Sequence, residues 1–228
     1  MDIKLILDAV KKLREGSKKR KFKQSFDLII NLKELNLKKP DENVNQFIVL
    51  KHNKGRKAKV CGFIDKELFA QKGALDKAVA RDDFSKLSKS DIKKVVNEYD
   101  FFIAQATLMT DIAKYFGKYL GPRGKMPNPK AGCIVTPNSD IKALHDQLQL
   151  TVKLETKNEL IVKCSVGSED MSDNDVAENV LAVYDRLLHM LPQEKVNIKN
   201  AMLKLTMSKP VLIGENEQKS IGKKAERS

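Results

Sequence analysis

Two patterns in the 228-residue sequence predict a mixed α/β protein with two domains. Between residues 57 and 149, short apolar runs alternate with helical segments, which is typical of βαβ units around a mostly parallel sheet. On either side, in residues 1–56 and 150–228, apolar and polar residues alternate with the period of strands. We therefore interpret the middle block as a domain inserted into an α/β domain that both ends of the chain build together.

The elements before the middle block are one helix and two strands. Apolar residues recur at helical spacing from Ile3 to Leu13, and Gly16 ends this helix. A strand with one core-facing side follows, because every second residue from Phe26 to Leu32 is apolar and its neighbours are mostly polar. A second strand is predicted from Gln46 to Leu50, after a polar connection that contains Pro40.

The middle block contains two predicted strands, one from Ala58 to Ile64 and a continuously apolar one from Phe101 to Ala104. Ser88 to Asp91 has the composition of a capping box at the start of a helix. The predicted helical segments run from about Asp65 to Ala80, from Ser90 to Asn97, from Leu108 to Tyr119 and from Asn138 to Leu148.

The strand pattern returns after the middle block. The predicted strands run from Leu150 to Leu154, from Leu160 to Cys164 and, as the last one, from Ala201 to Met207. The acidic run from Glu169 to Glu178 resembles a calcium-binding loop only superficially, because the required central glycine is absent. We interpret it as the cap of a helix from Ser172 to Leu191. We expect the charged tail from Lys219 to Ser228 to be frayed.

The composition favours a polyanionic partner. The chain has 43 Lys and Arg residues against 30 Asp and Glu, which gives a formal net charge of +13 and favours nucleic acid first and an anionic membrane second. No apolar run reaches the roughly 18 residues of a membrane-spanning helix, and the first residues lack the order of a signal peptide, so we expect no membrane association. The 3 cysteines and 3 histidines are isolated, which predicts a reducing cytoplasm, no disulfide framework and no metal site.

The segment from Leu120 to Lys130 combines glycines, prolines and cations, so it is predicted to be a shaped, positively charged loop. It is not a phosphate-binding P-loop around Gly124 and Lys125, because Tyr119 and Met126 occupy the positions that need glycine and Ser or Thr. A rigid turn with solvated cations remains the alternative to a functional surface.

No catalytic motif is visible in the sequence. There is no Gly-x-Ser-x-Gly, no His-Glu-x-x-His and no Gly-x-Gly-x-x-Gly after the strand that begins at Ala58. We therefore expect a protein that is not an enzyme and has no cofactor. A nucleotide-using α/β enzyme and a DNA-binding architectural protein stay open as alternatives.

The densest run of cations lies between Lys11 and Lys23, where they face a single acid, Glu15. The run leads directly into the first predicted strand, so its charges are held against a rigid element. Phe22 is placed where an aromatic ring could lie against a ribose or a base. A solvated charge run is the alternative, but the electrostatics favour contact with RNA.

A second candidate segment lies near the end of the chain. Strand alternation places Lys204, Thr206 and Ser208 on one face, and it places Met207 on the opposite, apolar face. The Thr206 hydroxyl can donate to and accept from a ribose 2′-hydroxyl, which distinguishes RNA from DNA. An amphipathic terminal strand without a ligand is the alternative.

Three segments resemble the large-subunit ribosomal protein L-one family, and the resemblance covers nearly the whole chain. Leu120 to Lys130 is similar to the most recognisable segment of that family. Lys21 to Asp27 resembles the family's order of basic residue, Phe, Thr, Gln, Ser, aromatic and acid, with Lys23 in place of Thr. Leu203 to Pro210 resembles its Thr-Met-Gly motif, with Ser208 in place of glycine.

The resemblance implies a first domain built from both termini, with a Rossmann-like second domain inserted on a hinge. It also implies that the first domain binds a 23S-type rRNA element at the mobile stalk of the large subunit. The candidate RNA-binding residues are Lys21, Phe22, Lys23, Ser25, Lys204, Thr206, Met207 and Ser208. Secondary contacts with rRNA or tRNA phosphates are expected from Arg123, Lys125 and Lys130.

Further expectations follow from the family's role. The stalk assists release of tRNA from the exit site, and many family members repress translation of their own mRNA. The resemblance therefore implies a cytoplasmic protein of the ribosome with exit-site tRNA and its own mRNA as additional partners, and we expect a monomer when the protein is free.

Overall fold

The computed structural model describes residues 1–39, 42–137 and 139–214. The chain forms two compact units, one of Met1–Arg56 with the chain from Leu150 onward, and one of Lys57–Gln149. Helices combine with parallel and antiparallel sheets, which confirms the mixed α/β fold class. Pro40, Asn138 and the predicted tail from Lys219 lie outside the described residues.

The elements are numbered in chain order over the described residues. The helices are α1 (Ile3–Gly16), α2 (Lys89–Glu98), α3 (Met109–Leu120), α4 (Ile141–Leu150) and α5 (Asp173–Leu188). The strands are β1 (Ser25–Leu32), β2 (Asn45–Val49), β3 (Val60–Ile64), β4 (Lys77–Ala80), β5 (Phe101–Gln105), β6 (Ile134–Val135), β7 (Thr151–Glu155), β8 (Ile161–Ser168), β9 (Ile198–Leu205) and β10 (Val211–Leu212).

A 4-stranded antiparallel sheet organises the unit that both chain ends form. Its strand order is β10-β9-β1-β8, while β2 and β7 make a separate antiparallel pair. The alternation predicted for β1 is confirmed, because every second residue from Phe26 to Leu32 is buried. α1 and α5 add Val10 and Val183 to the same core. Apolar burial of this kind is the main force that holds sheet and helices together.

Parallel strands form the sheet of the unit Lys57–Gln149, in the order β4-β3-β5-β6. The predicted parallel sheet is therefore confirmed for this block. Phe63 of β3 lies among aromatic rings in the core, with ring centroids 5.7 Å from Phe102 and 4.8 Å from Phe116. Packed rings bury large apolar areas, so this cluster gives the unit its own hydrophobic core.

The predicted helical segment over residues 65–80 is confirmed only in its first part, as a 3-10 helix, and is wrong for its last residues. Lys66–Ala74 forms a 3-10 segment, and Lys77–Ala80 forms β4. The Lys-Ala-Val-Ala sequence favours a helix by intrinsic propensity, but pairing with β3 overrides it, since Val79 lies opposite Phe63 in a parallel register and is buried.

Other differences concern short strands and element ends. The sequence does not predict β6 or β10, because a strand of 2 residues carries no periodicity. The helix predicted to reach Leu191 ends at Leu188. Its predicted cap is confirmed, because Oγ of Ser172 accepts the N–H of Asp175 at 3.1 Å. The final predicted strand ends at Leu205, not at Met207, and β10 follows it.

Candidate nucleic-acid interface

The two segments predicted to form one RNA site meet at an end of the antiparallel sheet. Phe26 lies opposite Leu205, so Ser25 and Thr206 come together where β1 begins and β9 ends. The backbone N–H of Ser25 donates to Oγ1 of Thr206 at 3.0 Å, and the two hydroxyl oxygens are 3.1 Å apart. Strand pairing therefore unites residues that are 181 positions apart in the chain.

Gln24, the residue before Ser25, is buried and bonds to two neighbouring loops. Its Oε1 accepts the N–H of Met207 at 3.2 Å, and its carbonyl oxygen accepts the N–H of Glu169 at 2.9 Å. Its Nε2 is buried and has no hydrogen-bond partner in the described part of the chain. Gln24 is not among the site residues predicted from the sequence. The sequence does contain a sign of its burial, because Gln24 lies two residues before Phe26 and so falls on the side of β1 that faces the core.

Phe22 and Met207 expose large apolar side chains at this end of the unit. They are 51% and 60% exposed, respectively. The predicted placement of Met207 on the apolar face is wrong, because the strand ends at Leu205 and the chain turns. An exposed ring offers a stacking surface for a base, and an exposed thioether offers a polarizable contact.

Lys21 and Lys23 are both exposed. Nζ of Lys23 lies 2.5 Å from Oδ2 of Asp170, and both side chains are open to solvent. An exposed ion pair of this kind contributes little to stability. Lys23 can therefore exchange Asp170 for a phosphate group without a large loss of folding free energy.

The Ser208 hydroxyl belongs to the turn that follows β9. Its Oγ accepts the N–H of Leu205 at 2.8 Å and lies 3.1 Å from the carbonyl oxygen of Lys209, to which it can donate. The N–H of Ser208 also donates to the carbonyl oxygen of Leu205 at 3.0 Å. The side chain that stands in place of the family's glycine is thus used to close the turn.

Lys204 and Asp27 are cross-strand partners in the β1–β9 pairing. Burial raises the pKa of Asp27, while a hydrogen bond from Oγ of Ser25 and the positive charge of Lys204 act in the opposite direction. The Ser25 Oγ–Asp27 Oδ1 distance is 3.2 Å. The half-buried carboxylate of Asp27 therefore lies within hydrogen-bond distance of the Ser25 hydroxyl, which in turn contacts Thr206.

Arg14 has an internal role, unlike the other cations of the run from Lys11 to Lys23. Its guanidinium contacts Oδ1 of Asp173 at 2.6 Å and donates to the carbonyl oxygens of Glu169 at 2.7 Å and Met171 at 2.6 Å. It therefore fastens α1 to the loop before α5. The other cations of the run are exposed at the surface.

The loop from Leu120 to Lys130 is shaped by its own backbone and by one of its cations. Nζ of Lys125 donates to the carbonyl oxygens of Val96 at 3.0 Å and Tyr99 at 2.6 Å, at the C-terminal end of α2. A cation is favourable there because the last carbonyls of a helix lack partners within it. Arg123 and Lys130 are exposed, so two of the three predicted secondary contacts lie at the surface.

Neither a metal centre nor a reactive thiol is apparent among the residues described. No group of three or more His, Cys, Asp or Glu side chains is arranged to hold a metal ion there. Burial raises the pKa of Cys61 to about 12 and that of Cys133 to about 11, so both thiols stay protonated at neutral pH. No helix in the described ranges is long and apolar enough to cross a membrane.

The family match and similar proteins of known name all indicate the same family. Residues 11–209 match the Ribosomal protein L1p/L10e family. The chain is 38% identical to the large ribosomal subunit protein uL1 of Thermoplasma volcanium, over 96% of this chain and 100% of the relative. It is 39% identical to the protein of the same name from Methanothermococcus thermolithotrophicus, over 93% and 99%, and 40% identical to that of Nanoarchaeum equitans, over 91% and 98%.

Proposed function

Because the chain belongs to the Ribosomal protein L1p/L10e family and is a structural constituent of the large ribosomal subunit, we propose that it binds a folded 23S-type rRNA element at the stalk. The unit built from both chain ends is the rRNA-binding domain, and the unit Lys57–Gln149 is a Rossmann-like domain inserted into it. The protein acts on the cytoplasmic ribosome.

The observation that carries this proposal is the meeting of Ser25 and Thr206. The contact between them brings the exposed Phe22 segment and the exposed Met207 turn to one end of a rigid sheet. Hydroxyl groups, an open aromatic ring and a dense run of cations are the three components that RNA recognition uses. The net charge of +13 supplies long-range attraction to the phosphates.

The proposed residues have different tasks on this surface. Phe22 and Met207 offer apolar contacts to bases or riboses, and Ser25 and Thr206 offer hydrogen bonds. Lys21, Lys23 and Lys204 attract phosphates, while Ser208 acts through the turn that its hydroxyl closes. Arg123 and Lys130 give the inserted domain weaker phosphate contacts, and Lys125 shapes the loop that holds them.

The finer parts of the proposal concern the stalk in translation. As a mobile stalk protein, the chain assists release of deacylated tRNA from the exit site. It also represses translation of its own mRNA when that mRNA carries a structure similar to the rRNA site. Both activities use an RNA-binding surface that a monomer presents. They require no catalytic group or cofactor.

Binding to a stalk rRNA fragment over a salt series tests the proposal. A protein with 6–10 phosphate contacts loses roughly 10³–10⁵ in affinity between about 50 and 200 mM salt. Phe22→Ala should weaken binding about 5- to 150-fold, which corresponds to ~1–3 kcal/mol for one stacked base. Thr206→Ala should also weaken it, because a hydrogen-bonding hydroxyl is lost.

Val196→Ala is the matched control for Phe22→Ala. Val196 is 52% exposed but lies beside the opposite end of β9, so its truncation should leave affinity unchanged. Thr107→Ala, an exposed position in the other unit, controls for Thr206→Ala. If both site variants bind like the wild type at unchanged melting temperature, the RNA surface is misplaced.

The two alternatives make different predictions for the same protein. A nucleotide-using enzyme would gain about 2.7 kcal/mol of stability from nucleotide at 100 times its dissociation constant. If nucleotide stabilises the protein in this way and the rRNA fragment does not bind, the proposed rRNA binding is wrong and a nucleotide-using enzyme is the better explanation. Equal affinity for the fragment and for DNA of matched sequence would favour a DNA-binding architectural protein.

A further inference from the structure

An acidic side chain stands inside the surface proposed to bind a polyanion. Oδ1 of Asp27 lies 3.2 Å from Oγ of Ser25, which lies 3.1 Å from Oγ1 of Thr206. The same Thr206 oxygen accepts the backbone N–H of Ser25 at 3.0 Å. These three oxygens form a continuous chain from a half-buried carboxylate to an exposed hydroxyl.

The direction of hydrogen bonding along this chain follows from counting protons. Each hydroxyl has one proton to donate, and an ionised carboxylate has none. The Ser25 hydroxyl can donate to Asp27 or to Thr206, and the charged acceptor forms the stronger hydrogen bond. Since the Ser25 proton then points to Asp27, Oγ of Ser25 is left to accept the proton of Thr206.

Both hydroxyl protons are therefore used inside the protein. Thr206 is exposed, and one lone pair of its oxygen already accepts the N–H of Ser25, so the second lone pair is what Thr206 offers to a ligand. Phosphate oxygens and base carbonyls can only accept, so they match such a surface poorly. A ribose 2′-hydroxyl and an exocyclic amino group of a base can both donate, so they match it well.

The charge of Asp27 has a compensating partner. Lys204 lies opposite it in the β1–β9 register, and its positive charge favours the ionised carboxylate. Electrostatic attraction to Lys204 alone would explain Asp27 without any effect on the hydroxyl groups. The hydrogen bond from Ser25 gives it the second role, which substitutions can separate from the first.

We propose that Asp27 is a positioning residue that turns the Ser25–Thr206 pair into a hydrogen-bond acceptor, so that this pair selects a donor group of the RNA over a phosphate. The inference rests on the proposed rRNA binding and adds to it the chemistry of one contact. It assigns Asp27 to recognition although the residue carries the same charge as the ligand.

Single-atom substitutions in the rRNA fragment test this assignment with the full-length chain. A 2′-deoxy ribose has no hydroxyl, and a 2′-fluoro ribose keeps a polar atom that cannot donate. At one ribose, both substitutions should weaken wild-type binding by about 2- to 12-fold, the range of one net hydrogen bond. In Thr206→Val, which keeps the shape of the side chain, the same substitutions should have no additional effect.

Removal of single base amino groups distinguishes the second source of a donor. If the donor that contacts Thr206 is a base amino group, its removal should weaken binding of the wild type but not of Thr206→Val, and no ribose substitution should behave in this way. Either result supports an acceptor surface. Coupling of Thr206 to a neutralised phosphate, with none to a 2′-hydroxyl or amino group, would overturn the inference.

Asp27→Asn and Lys204→Gln separate the two roles of the carboxylate. An asparagine amide can donate to Oγ of Ser25, which reverses the hydrogen bonds and frees a proton at Thr206. Asp27→Asn should therefore reduce the difference in affinity between 2′-hydroxyl and 2′-fluoro RNA at the coupled position; a smaller difference remains, because fluorine accepts the Thr206 proton only weakly. Lys204→Gln should lower affinity and reduce the salt slope by about 0.7–0.9 per lost phosphate contact, with that difference retained.

The outcomes also distinguish this inference from the proposed function. If the wild type does not bind the fragment, both are wrong. If the wild type binds, and Phe22→Ala weakens binding, but no 2′-hydroxyl or amino group couples to Thr206, only the inference is wrong. A 2′-fluoro discrimination that is undiminished in a folded Asp27→Asn variant would likewise overturn the role of Asp27.

Discussion

Gly55 shows how a single residue is constrained where the chain runs past the end of β8. Its φ is +79°, and a Cβ atom added there would lie 2.2 Å from Cβ of Ser168. Gly55→Ala combines backbone strain with this clash, so we expect it to lower the free energy of unfolding by more than the ~1–2 kcal/mol of a left-handed residue alone. Urea denaturation measures the loss.

Two further variants check that explanation of Gly55. Gly16→Ala adds a methyl group where no atom lies within 4 Å, so the protein should keep its stability or gain slightly. Adding Ser168→Gly to Gly55→Ala should restore part of the loss, because the clashing Cβ is removed. If the double variant is no more stable than Gly55→Ala, backbone strain alone accounts for the effect.

The residues of the candidate site were predictable to different degrees from sequence. Phe22 and Thr206 stand in segments that match the family's motifs, so they could be named. The exposure of Met207 could not, because it depends on the strand ending at Leu205. Two further features could not be predicted either: Ser208 uses its hydroxyl to close its own turn, and Gln24 has a buried amide. Both depend on the positions of backbone atoms, which the alternation of polar and apolar residues does not specify.

At the scale of elements, Arg14 has a structural role, whereas the other cations of the run from Lys11 to Lys23 are exposed at the surface. It fastens α1 to the loop before α5 through Asp173 and two carbonyl oxygens. Arg14→Met should lower stability by about 1–3 kcal/mol, since hydrogen bonds to charged groups are worth more than neutral ones and this group is partly solvated. It should leave the salt slope of RNA binding unchanged when folded protein is compared.

Lys21→Met is the matched variant for Arg14→Met. Lys21 belongs to the same basic run but is exposed. This substitution should leave stability within about 0.5 kcal/mol of the wild type, as surface changes usually do. It should reduce the slope of log affinity against log salt by about 1 if Lys21 contacts one phosphate. The opposite pattern for the two variants would contradict the division that we assign.

Elements with a long apolar period were predicted well, and elements defined by pairing were not. α1, α3 and β1 each carry enough turns or alternations to reveal their period. β4 consists mostly of residues that favour a helix, and pairing with its neighbour β3 makes it a strand. β6 and β10 are too short for any period, so nothing in their sequence distinguishes them from loops.

At the scale of the whole molecule, the net charge predicts the class of partner, but it does not predict where on the protein the partner binds. Charges add regardless of where they lie, so the excess of Lys and Arg indicates a polyanion before any coordinates are known. Which cations reach the partner depends on packing. Arg14 and Lys125 look like binding cations in the sequence, yet each donates to backbone carbonyl oxygens of its own unit.

Buried thiols make the stability of the folded chain depend on alkaline pH. Burial raises the pKa of Cys61 to about 12 and of Cys133 to about 11 from an ordinary value of 9.0. The folded state therefore keeps protons that the unfolded state loses, so this stabilisation is complete below pH 9 and falls as pH rises toward 11–12. We expect the free energy of unfolding to decrease between about pH 9 and 11, by up to ~1.4 kcal/mol per pH unit for each thiol.

Removing the thiols isolates their contribution from that of lysines and tyrosines, which titrate over the same range. Cys61→Ala with Cys133→Ala should be less stable at pH 7, because two buried side chains are shortened, but its stability should fall less steeply above pH 9. Urea denaturation of both proteins at several pH values gives the two slopes. Parallel curves from pH 8 to 11 would show that these cysteines ionise equally easily in the folded and unfolded chain, which their burial in the core of the unit Lys57–Gln149 should prevent.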